Sequence, residues 1–212
     1  HAARRHWNPV SAYLRDRHVV ISGATSGLGL ATATTLAGRG AELTLVARDR
    51  AKANSVARDL KRRYGNPRVH VEIADLSLLE DVRALVARLL KKGRPIDVLV
   101  NNAGALINPR QETTEGLEKS FALLLAGPYV LTEGLRPLLQ QSAAARGVAR
   151  VVIVLSGGAY TQKIHVDDLQ SENGHYSGAV AYARAKRGLL IVTAEWARRW
   201  AKDGIVVNAM HP

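Results

Sequence analysis

Short apolar stretches rich in Val, Ile and Leu alternate along the chain with longer segments of helical periodicity. Six stretches predict strands, at residues 18–22, 42–47, 68–73, 97–100, 151–155 and 205–209. Helical patterns separate them, at residues 28–39, 50–64, 78–91, 115–143 and 179–200. The strands are apolar at nearly every position, as a sheet covered by helices on both faces requires. The alternation therefore predicts an α/β fold, a doubly wound parallel sheet in three layers, with its ligand crevice at the carboxyl ends of the strands.

The pattern continues without a break from the first predicted strand to the last residue. No repeat or linker divides it, and a length of 212 residues suits one α/β domain. We expect a single domain at residues 18–212, preceded by an N-terminal arm at residues 1–17. Residues 157–178 form a long connection, which makes them a candidate functional loop.

Positive charge dominates the composition, with a formal net charge of +12. The cations are distributed over many predicted helices, and no helix-turn-helix, zinc-finger or aromatic RNA-binding pattern accompanies them. A solvated surface is therefore favoured, and no nucleic-acid partner is expected. Residues 4–15, which include Trp7 and several arginines, could lie on a lipid surface, but an arm packed on the domain is favoured.

Missing residue types exclude other classes of protein. The chain has no Cys, so it has neither a disulfide framework nor a thiolate zinc site, and a cytoplasmic location is expected. No apolar run reaches the roughly 20 residues that span a bilayer, so no integral membrane span is expected. His165, Asp167, Asp168 and His175 share a loop without the spacing of metal ligands, so no metal is expected.

A glycine-rich turn follows the first predicted strand, with the sequence Ser22-Gly23-Ala24-Thr25-Ser26-Gly27-Leu28-Gly29. The first glycine can make a tight turn, the second lets backbone approach a pyrophosphate, and the third lets the helix pack closely on the sheet. The helix that begins there offers free N–H groups and the positive end of its dipole to phosphates. The position of this turn between a strand and a helix predicts dinucleotide binding.

The end of the second predicted strand bears on the choice of cofactor. Enzymes that use NAD hold the ribose hydroxyls with a carboxylate near this position, whereas NADP needs a cation for its 2′-phosphate. Arg48 follows the strand at once, and its guanidinium suits a phosphate. Asp49 is the competing candidate, and it could instead cap the next helix. The pattern favours NADP(H) over NAD(H).

Three residue types that can act on a carbonyl come later in the chain. Ser156 ends the fifth predicted strand, and Tyr182 and Lys186 lie four residues apart in a predicted helix, on one face. This Tyr–Lys spacing is common in amphipathic helices. In this chain it follows a glycine-rich turn and an Asn101-Asn102-Ala103-Gly104 segment in order, which favours a catalytic function.

Together these motifs resemble the short-chain dehydrogenase/reductase family over residues 18–212, and within it the retinol-dehydrogenase-like branch. The glycine turn is similar to the family's loop, with Ser22 in place of Thr. The resemblance implies a Rossmann-like fold and hydride transfer between a nicotinamide cofactor and a carbonyl or alcohol, with lipophilic small molecules as substrates. It implies that Tyr182 is the general acid/base, that Lys186 lowers the pKa of that phenol and binds the nicotinamide ribose, and that Ser156 holds the substrate oxygen.

The resemblance also implies a set of cofactor-binding residues. Asp75 and Leu76 resemble the family's adenine-contacting pair, although Asp75 could equally be a helix cap. Small residues after the fourth strand would lie beside the cofactor. The expected set is Ser22, Gly23, Thr25, Ser26, Gly27, Leu28, Gly29, Arg48, Asp75, Leu76, Asn102, Ala103, Gly104, Tyr182 and Lys186.

The chain departs from the family at Leu124, which stands where the family has a catalytic Asn that holds a water near the active-site Lys. Leu has no polar atom for that role. Either another group completes the proton relay, or the chain binds NADP(H) with weak or lost catalysis. Residues 210–212 resemble the start of the family's Pro-Gly segment, so the family's last strand and lid are expected to be missing from this chain. The long helices at 115–143 and 179–200 could pack against a second copy, giving a homo-oligomer.

Overall fold

A computed structural model describes residues 14–212 and shows a single six-stranded sheet. All strands are parallel, in the order β3-β2-β1-β4-β5-β6. The strands are β1 (His18–Ser22), β2 (Glu42–Ala47), β3 (Val69–Ile73), β4 (Val98–Asn101), β5 (Ala149–Val154) and β6 (Ile205–Met210). The helices are α1 (Gly27–Gly38), α2 (Arg50–Tyr64), α3 (Leu79–Lys92), α4 (Lys119–Phe121), α5 (Gly127–Arg146) and α6 (Gly178–Trp200).

Helices cover the sheet in two layers, which confirms the predicted doubly wound α/β fold. On one face, Ala33 and Ala37 of α1 and Leu60 of α2 pack against β1 and β2. On the other face, α3, α5 and α6 form a larger core, in which Trp196 and Trp200 are almost completely buried. Strand β1 pairs with β2 on one side and β4 on the other, so the order of the strands reverses there. Ligands bind at such a switch point in open α/β sheets.

The predicted helix at 115–143 differs from the structure at its start and in its middle. Residues 113–116 make a turn, and Glu112 forms an isolated antiparallel bridge with Glu118. The helix begins only at Lys119, passes through a π-helical segment at Ala122–Ala126, and continues as α5 to Arg146. The delay has a local cause: the Glu118 carboxylate accepts hydrogen bonds from the backbone N–H groups of Ser120 and Phe121 and so caps the helix.

The predicted N-terminal arm lies mostly outside the described residues, which begin at residue 14. Leu14 donates its N–H to the carbonyl of Arg39, at the end of α1. Arg17 forms an ion pair with Asp97, which is buried just before β4. The chain therefore joins the domain at the edge of the sheet where the strands begin, opposite the crevice side. Within residues 14–212, no helix combines the length and apolar character needed to cross a bilayer.

Asp97 connects several elements at that edge. Its carboxylate accepts hydrogen bonds from Arg17, from the backbone N–H of His18 and from Ser142 of α5, and Arg146 lies 3.2 Å away. Burial opposes ionisation of this carboxyl, but the hydrogen bonds and the positive charges outweigh burial and lower the pKa of Asp97. The ionised carboxylate therefore stabilises the junction of β1, β4 and α5.

Candidate active site

One crevice of about 760 Å³ opens at the carboxyl ends of the strands, above the switch point between β1 and β4. The loops that follow all six strands supply residues to its lining. Most of the residues that the sequence singles out meet in this crevice. They are Gly23, Thr25, Ser26, Gly27, Leu28, Arg48, Asp75, Leu76, Asn102, Ala103, Gly104, Ser156, Tyr182 and Lys186.

The glycine turn has the geometry that its sequence predicts. Gly23 has a positive φ of 66°, and a Cβ there would lie 2.8 Å from Ala103 Cα. Gly29 lies behind the lining, where a Cβ would come within 2.3 Å of the Gly23 carbonyl oxygen. A larger residue at either position would push α1 away from the sheet. No atom from elsewhere in the chain lies within 4 Å of the position that a Cβ at Gly27 would occupy, so a phosphate can approach the backbone there.

Ser22, which the sequence predicts to bind the cofactor, is not among the residues that line the crevice. Its side chain is buried, and its hydroxyl accepts hydrogen bonds from the N–H groups of Asn102 and Ala103, each at 3.0 Å. The Asn102 amide in turn donates to the Ser22 carbonyl at 2.9 Å. Ser22 therefore ties the ends of β1 and β4 together from behind. Its hydroxyl is needed for this connection, which explains why a Ser can replace a Thr.

Two cations lie at the end of β2 and the start of α2. Arg48 and Lys52 are both exposed and line the crevice, and neither side chain makes a hydrogen bond or ion pair within residues 14–212. Asp49 is the N-cap of α2, because its carboxylate accepts a hydrogen bond from the Lys52 N–H at 2.9 Å. The helix-cap interpretation of Asp49 is therefore correct. Sequence reasoning missed Lys52, although its place in the first turn of a helix that starts at the crevice was a usable signal.

Asp75 lines the crevice but does not cap α3, so the helix-cap alternative is wrong. Its carboxylate accepts hydrogen bonds from the N–H and the hydroxyl of Ser77, which closes a turn before the helix. The cap of α3 comes from a distant loop: Glu115 accepts hydrogen bonds from the N–H groups of Leu79 and Glu80 at 2.6 and 2.8 Å. A cap that is so far away in sequence leaves no local signal.

The three candidate catalytic residues all line the crevice. Ser156 follows β5, and its hydroxyl accepts a hydrogen bond from the Gly158 N–H at 3.3 Å. Tyr182 and Lys186 come from α6, with the Lys186 ammonium 5.9 Å from the centre of the Tyr182 ring. Lys186 is buried and donates to the Val154 carbonyl at 2.7 Å. Burial lowers the pKa of Lys186 to about 8, since a charged amine is poorly solvated there.

Leu124 lies beside this ammonium, in the π-helical segment. It is fully buried, and a Cβ at Gly104 would lie 3.1 Å from Leu124 Cδ2 and 3.9 Å from Lys186 Nζ. Leu124 and Lys186 therefore both approach Gly104, and of these three residues only Gly104 and Lys186 line the crevice. An apolar side chain at this point offers the ammonium no hydrogen-bond acceptor, and among the described residues the ammonium donates to the Val154 carbonyl.

A buried carboxylate at the start of α4 binds the long connection between β5 and α6. Glu118 accepts a hydrogen bond from the Tyr176 hydroxyl at 2.9 Å, and its own N–H donates to the Gln170 side chain. Burial and the adjacent Glu118 carboxylate raise the pKa of Tyr176. Nearby, the Gly178 N–H donates to the side chain of Asn108. The start of α6, which carries Tyr182 about one turn later, is thus held against the start of α4 and the loop at Asn108.

Other lining residues were not predicted as site residues. Leu106 and Leu123 add apolar surface, and His211 follows β6 with its imidazole 3.2 Å from where a Cβ at Gly157 would lie. The periodic pattern marks leucines as core or surface but cannot say which ones border a crevice. Within the described residues, no group of three or more His, Asp or Glu side chains forms a metal site.

The residues present fit a nicotinamide dinucleotide. The open space at Gly27, the start of α1 and the cations at residues 48 and 52 supply donors for a pyrophosphate and a further phosphate. The small residues at 103 and 104 leave room along the wall towards Tyr182 and Lys186.

Comparisons with known proteins agree with this geometry. A family model described as short chain dehydrogenase matches residues 17–212. Dehydrogenase/reductase SDR family member 12 of Bos taurus is 39% identical over 92% of the chain, and Retinol dehydrogenase 13 of Homo sapiens is 33% identical over 96%. The chain spans 60% of the length of each of these two relatives.

Solved structures are similar as well. The active-site complex of Pseudomonas aeruginosa RhlG with NADP has a TM-score of 0.77 and 27% identity, covering 97% of this chain and 75% of that one. An NADH-dependent reductase complexed with NAD has a TM-score of 0.73 and 27% identity, covering 94% of this chain and 79% of that one. Both nicotinamide cofactors thus occur among similar structures.

Proposed function

Because the chain belongs to the short-chain dehydrogenase family, we propose that it is an NADP(H)-dependent oxidoreductase with Tyr182 as general acid/base. Its substrate would be a carbonyl or alcohol, of lipophilic character. One observation carries the proposal: Ser156, Tyr182 and Lys186 line the same crevice as the glycine turn. A phenol, an ammonium and a hydroxyl therefore stand at one end of a crevice whose other end suits phosphates.

The residues can perform the proton chemistry of this reaction. The glycine turn and the cations at residues 48 and 52 would hold a nicotinamide dinucleotide, which when bound would supply or accept a hydride at the substrate carbon. Tyr182 donates the proton to the carbonyl oxygen, and Ser156 donates a hydrogen bond to that oxygen. The Lys186 ammonium lies 5.9 Å from the centre of the Tyr182 ring, so its positive charge would stabilise negative charge that develops on the phenol oxygen during the transfer.

The preference for NADP(H) is supported by the charges at the end of β2. Arg48 and Lys52 are exposed and have no competing partner in the described part of the chain, so both are available to a 2′-phosphate. Asp49 uses one carboxylate oxygen to cap α2, which reduces its availability for ribose hydroxyls. Lipophilic substrates are supported by Leu106 and Leu123, which border the crevice; the Leu106 side chain is 62% exposed.

A second candidate function is NADP(H) binding with weak or lost catalysis. Leu124 favours it, because the side chain beside Lys186 cannot hold a water or pass a proton. The two candidates share the cofactor and differ in turnover, so binding and rate have to be measured separately.

Calorimetric titration with NADPH and NADH tests the cofactor, and NADPH oxidation against a panel of lipophilic aldehydes and ketones tests the reaction. We expect tighter binding of NADPH and measurable turnover. Tyr182→Phe should lower kcat by about 10²–10⁴-fold, the usual contribution of a general acid, with the NADPH affinity unchanged. Tyr160→Phe is the matched control, because Tyr160 is 72% exposed and lies outside the crevice lining.

Each outcome separates the candidates. Equal turnover in Tyr182→Phe would remove the phenol from the mechanism. Tight NADPH binding with no turnover on any carbonyl would favour the second candidate, and a preference for NADH would overturn the assignment of Arg48 and Lys52.

A further inference from the structure

The cations that are scattered along the sequence gather on one side of the folded domain. Each long helix runs back from the crevice side, so its C-terminal turn lies at the edge where the next strand begins. Helix α2 ends in Lys61, Arg62 and Arg63, and α3 ends in Lys91 and Lys92. All five side chains are exposed. We call this side, formed by the last turns of α2, α3, α5 and α6 with the residues that follow them, the basic face.

The other two helices extend the basic face on the far side of the sheet. Helix α5 ends in Arg146, and α6 ends in Arg198 and Arg199, followed by Lys202. Together with Arg136, the last three of these line a shallow concavity. Lys61, Lys91 and Lys202 make no hydrogen bond or ion pair with their side chains within residues 14–212.

Acidic groups neutralise only part of this face, where Asp203 pairs with Arg136 and Glu133 with Arg199. The buried carboxylates there each meet two cations: Glu72 binds Arg88 and Lys92, and Asp97 binds Arg17 and Arg146. The exposed acids on α2 and α6 are paired within their own helices, as with Asp59 and Arg62. The charges are also close enough to act together. Burial lowers the pKa of His70, and the positive charges of Lys61, Lys92 and Arg94 lower it further against Glu42.

On the opposite side, around the crevice, acidic side chains offset more of the positive charge. The first turn of α3 carries Glu80 and Asp81, and the loops around the crevice contribute further carboxylates, such as Glu115. Much of the net charge of +12 is therefore displayed on the side away from the crevice. A field of one sign over a broad face attracts an extended polyanion.

We propose that the basic face docks the domain on an anionic phospholipid surface, with the crevice turned away from the bilayer. Two features favour a membrane over a nucleic acid. Exposed apolar side chains lie among the cations, Tyr64 at the end of α2 and Leu90 near the end of α3, at 36% and 39% exposure, and interfacial binding uses such side chains. The face is also built from helix ends, with no helix or ribbon projecting from the described residues to enter a groove.

The sequence of the N-terminal segment also favours a lipid surface. The described chain begins beside α1's end, at the edge of the sheet that carries the basic face. The sequence that precedes it contains Arg4, Arg5 and Trp7, residue types that suit a charged interface.

Sedimentation of the 212-residue chain with phosphatidylcholine vesicles, with and without phosphatidylserine, tests the proposal. Binding should require phosphatidylserine and should weaken with added salt, because salt screens exposed charges. The variant Lys61→Gln/Lys91→Gln/Lys202→Gln should lower the partition coefficient about a hundredfold, at about 1 kcal/mol for each basic residue near an anionic surface. Its three sites are exposed, so the fold should be retained.

The matched control is Arg50→Gln/Arg83→Gln/Lys163→Gln, which removes the same formal charge from exposed positions away from the basic face. It should bind vesicles nearly as well as the parent chain. No binding to phosphatidylserine vesicles at low salt, or an equal loss in both variants, would overturn the proposal. Tighter binding to a DNA or RNA duplex than to vesicles would overturn it in favour of a nucleic-acid surface.

Discussion

At the scale of single residues, Leu124 limits the hydrogen-bond acceptors that are available to the Lys186 ammonium. The ammonium has three protons to donate, and the described structure provides the Val154 carbonyl as an acceptor, with an apolar side chain nearby. Burial without sufficient acceptors penalises the charged form, which agrees in direction with the lowered pKa of this amine. A substitution at Leu124 or Lys186 should therefore affect both the positive charge at residue 186 and the proposed proton transfer that uses this charge.

Leu124→Asn should raise kcat about tenfold if the missing amide limits turnover. A hydrogen bond to a charged group contributes about 1.5–3 kcal/mol, and an Asn here would supply an acceptor for the ammonium or for a bridging water. Leu124→Met is the control, because it keeps the volume and the apolar character, and it should leave kcat unchanged. Steady-state kinetics with a carbonyl substrate measures both, and an unchanged rate in Leu124→Asn would show that protons reach Lys186 by another route.

Lys186→Met should stabilise the fold while abolishing turnover. In the folded chain the pKa of Lys186 is about 8, against about 10.4 for an unfolded Lys. Between these values the unfolded state binds the additional proton, so the stability of the parent chain rises with pH through this window. Below pH 8 the full penalty applies, and the variant should gain at most about 3 kcal/mol there.

Urea unfolding at several pH values measures this gain. It should be largest near pH 7 and should disappear towards pH 10.4. Lys202→Met, at an exposed position, is the comparison and should show no such pH-dependent gain. A gain for Lys186→Met that does not change with pH would contradict the buried-amine interpretation.

At the scale of secondary structure, the sequence predicted the elements well and their starts less well. All six predicted strands lie within two residues of the observed ones, because apolar runs between polar turns define them. The helix predicted from residue 115 was wrong at its start. Glu115 and Glu118 fit a helical pattern, but their carboxylates bind backbone N–H groups, one at α3 and the other at α4. Such contacts depend on the folded chain.

Glu115→Ala should lower the free energy of unfolding by about 1 kcal/mol, the usual effect of losing a helix cap. Two backbone N–H groups at the start of α3 lose their acceptor, at Leu79 and Glu80. Chemical denaturation at neutral pH measures the loss. Glu112→Ala, which removes an exposed ion-pair partner of Arg110, should have a smaller effect; equal losses would mean that charge, and not capping, explains the change.

At the scale of the whole molecule, the sequence predicted which chain segments form the site but not which of their side chains face the crevice. Ser22 was predicted to bind the cofactor, and in the structure its hydroxyl joins two strand ends; Lys52 and His211 line the crevice without having been predicted. The strand-end rule places segments near one another, and only the folded chain decides which side chain faces the crevice. In the same way, cations from separate helices meet on the basic face because the helices run in parallel.

Asp97→Asn should destabilise the whole domain by about 3 kcal/mol, as expected when one partner of a buried ion pair is removed. The carboxylate joins β1 and α5, and its pKa is lowered in the folded chain. Its contribution is therefore present above the unfolded pKa and is lost as the pH falls through the folded value. The difference between parent and variant should accordingly be large at pH 7 and vanish in strong acid.

Denaturant unfolding across the acid range measures this difference. Asp59→Asn provides the comparison, because Asp59 is exposed and pairs only with Arg62 within the described residues, and it should cost less than about 1 kcal/mol. Similar losses in the two variants would contradict the role of Asp97 as the connection between elements.

The buried bond between Glu118 and Tyr176 has a consequence for how the phenol at 182 is oriented. It joins the segment before α6 to the start of α4, and Gly188 of α6 packs so closely on Leu125 of the π-helical segment that a Cβ at residue 188 would lie 2.7 Å from the Leu125 side chain. These contacts hold in place the helix that carries Tyr182. The binding energy of a ligand can then be used to position its oxygen against a proton donor whose helix is already in place.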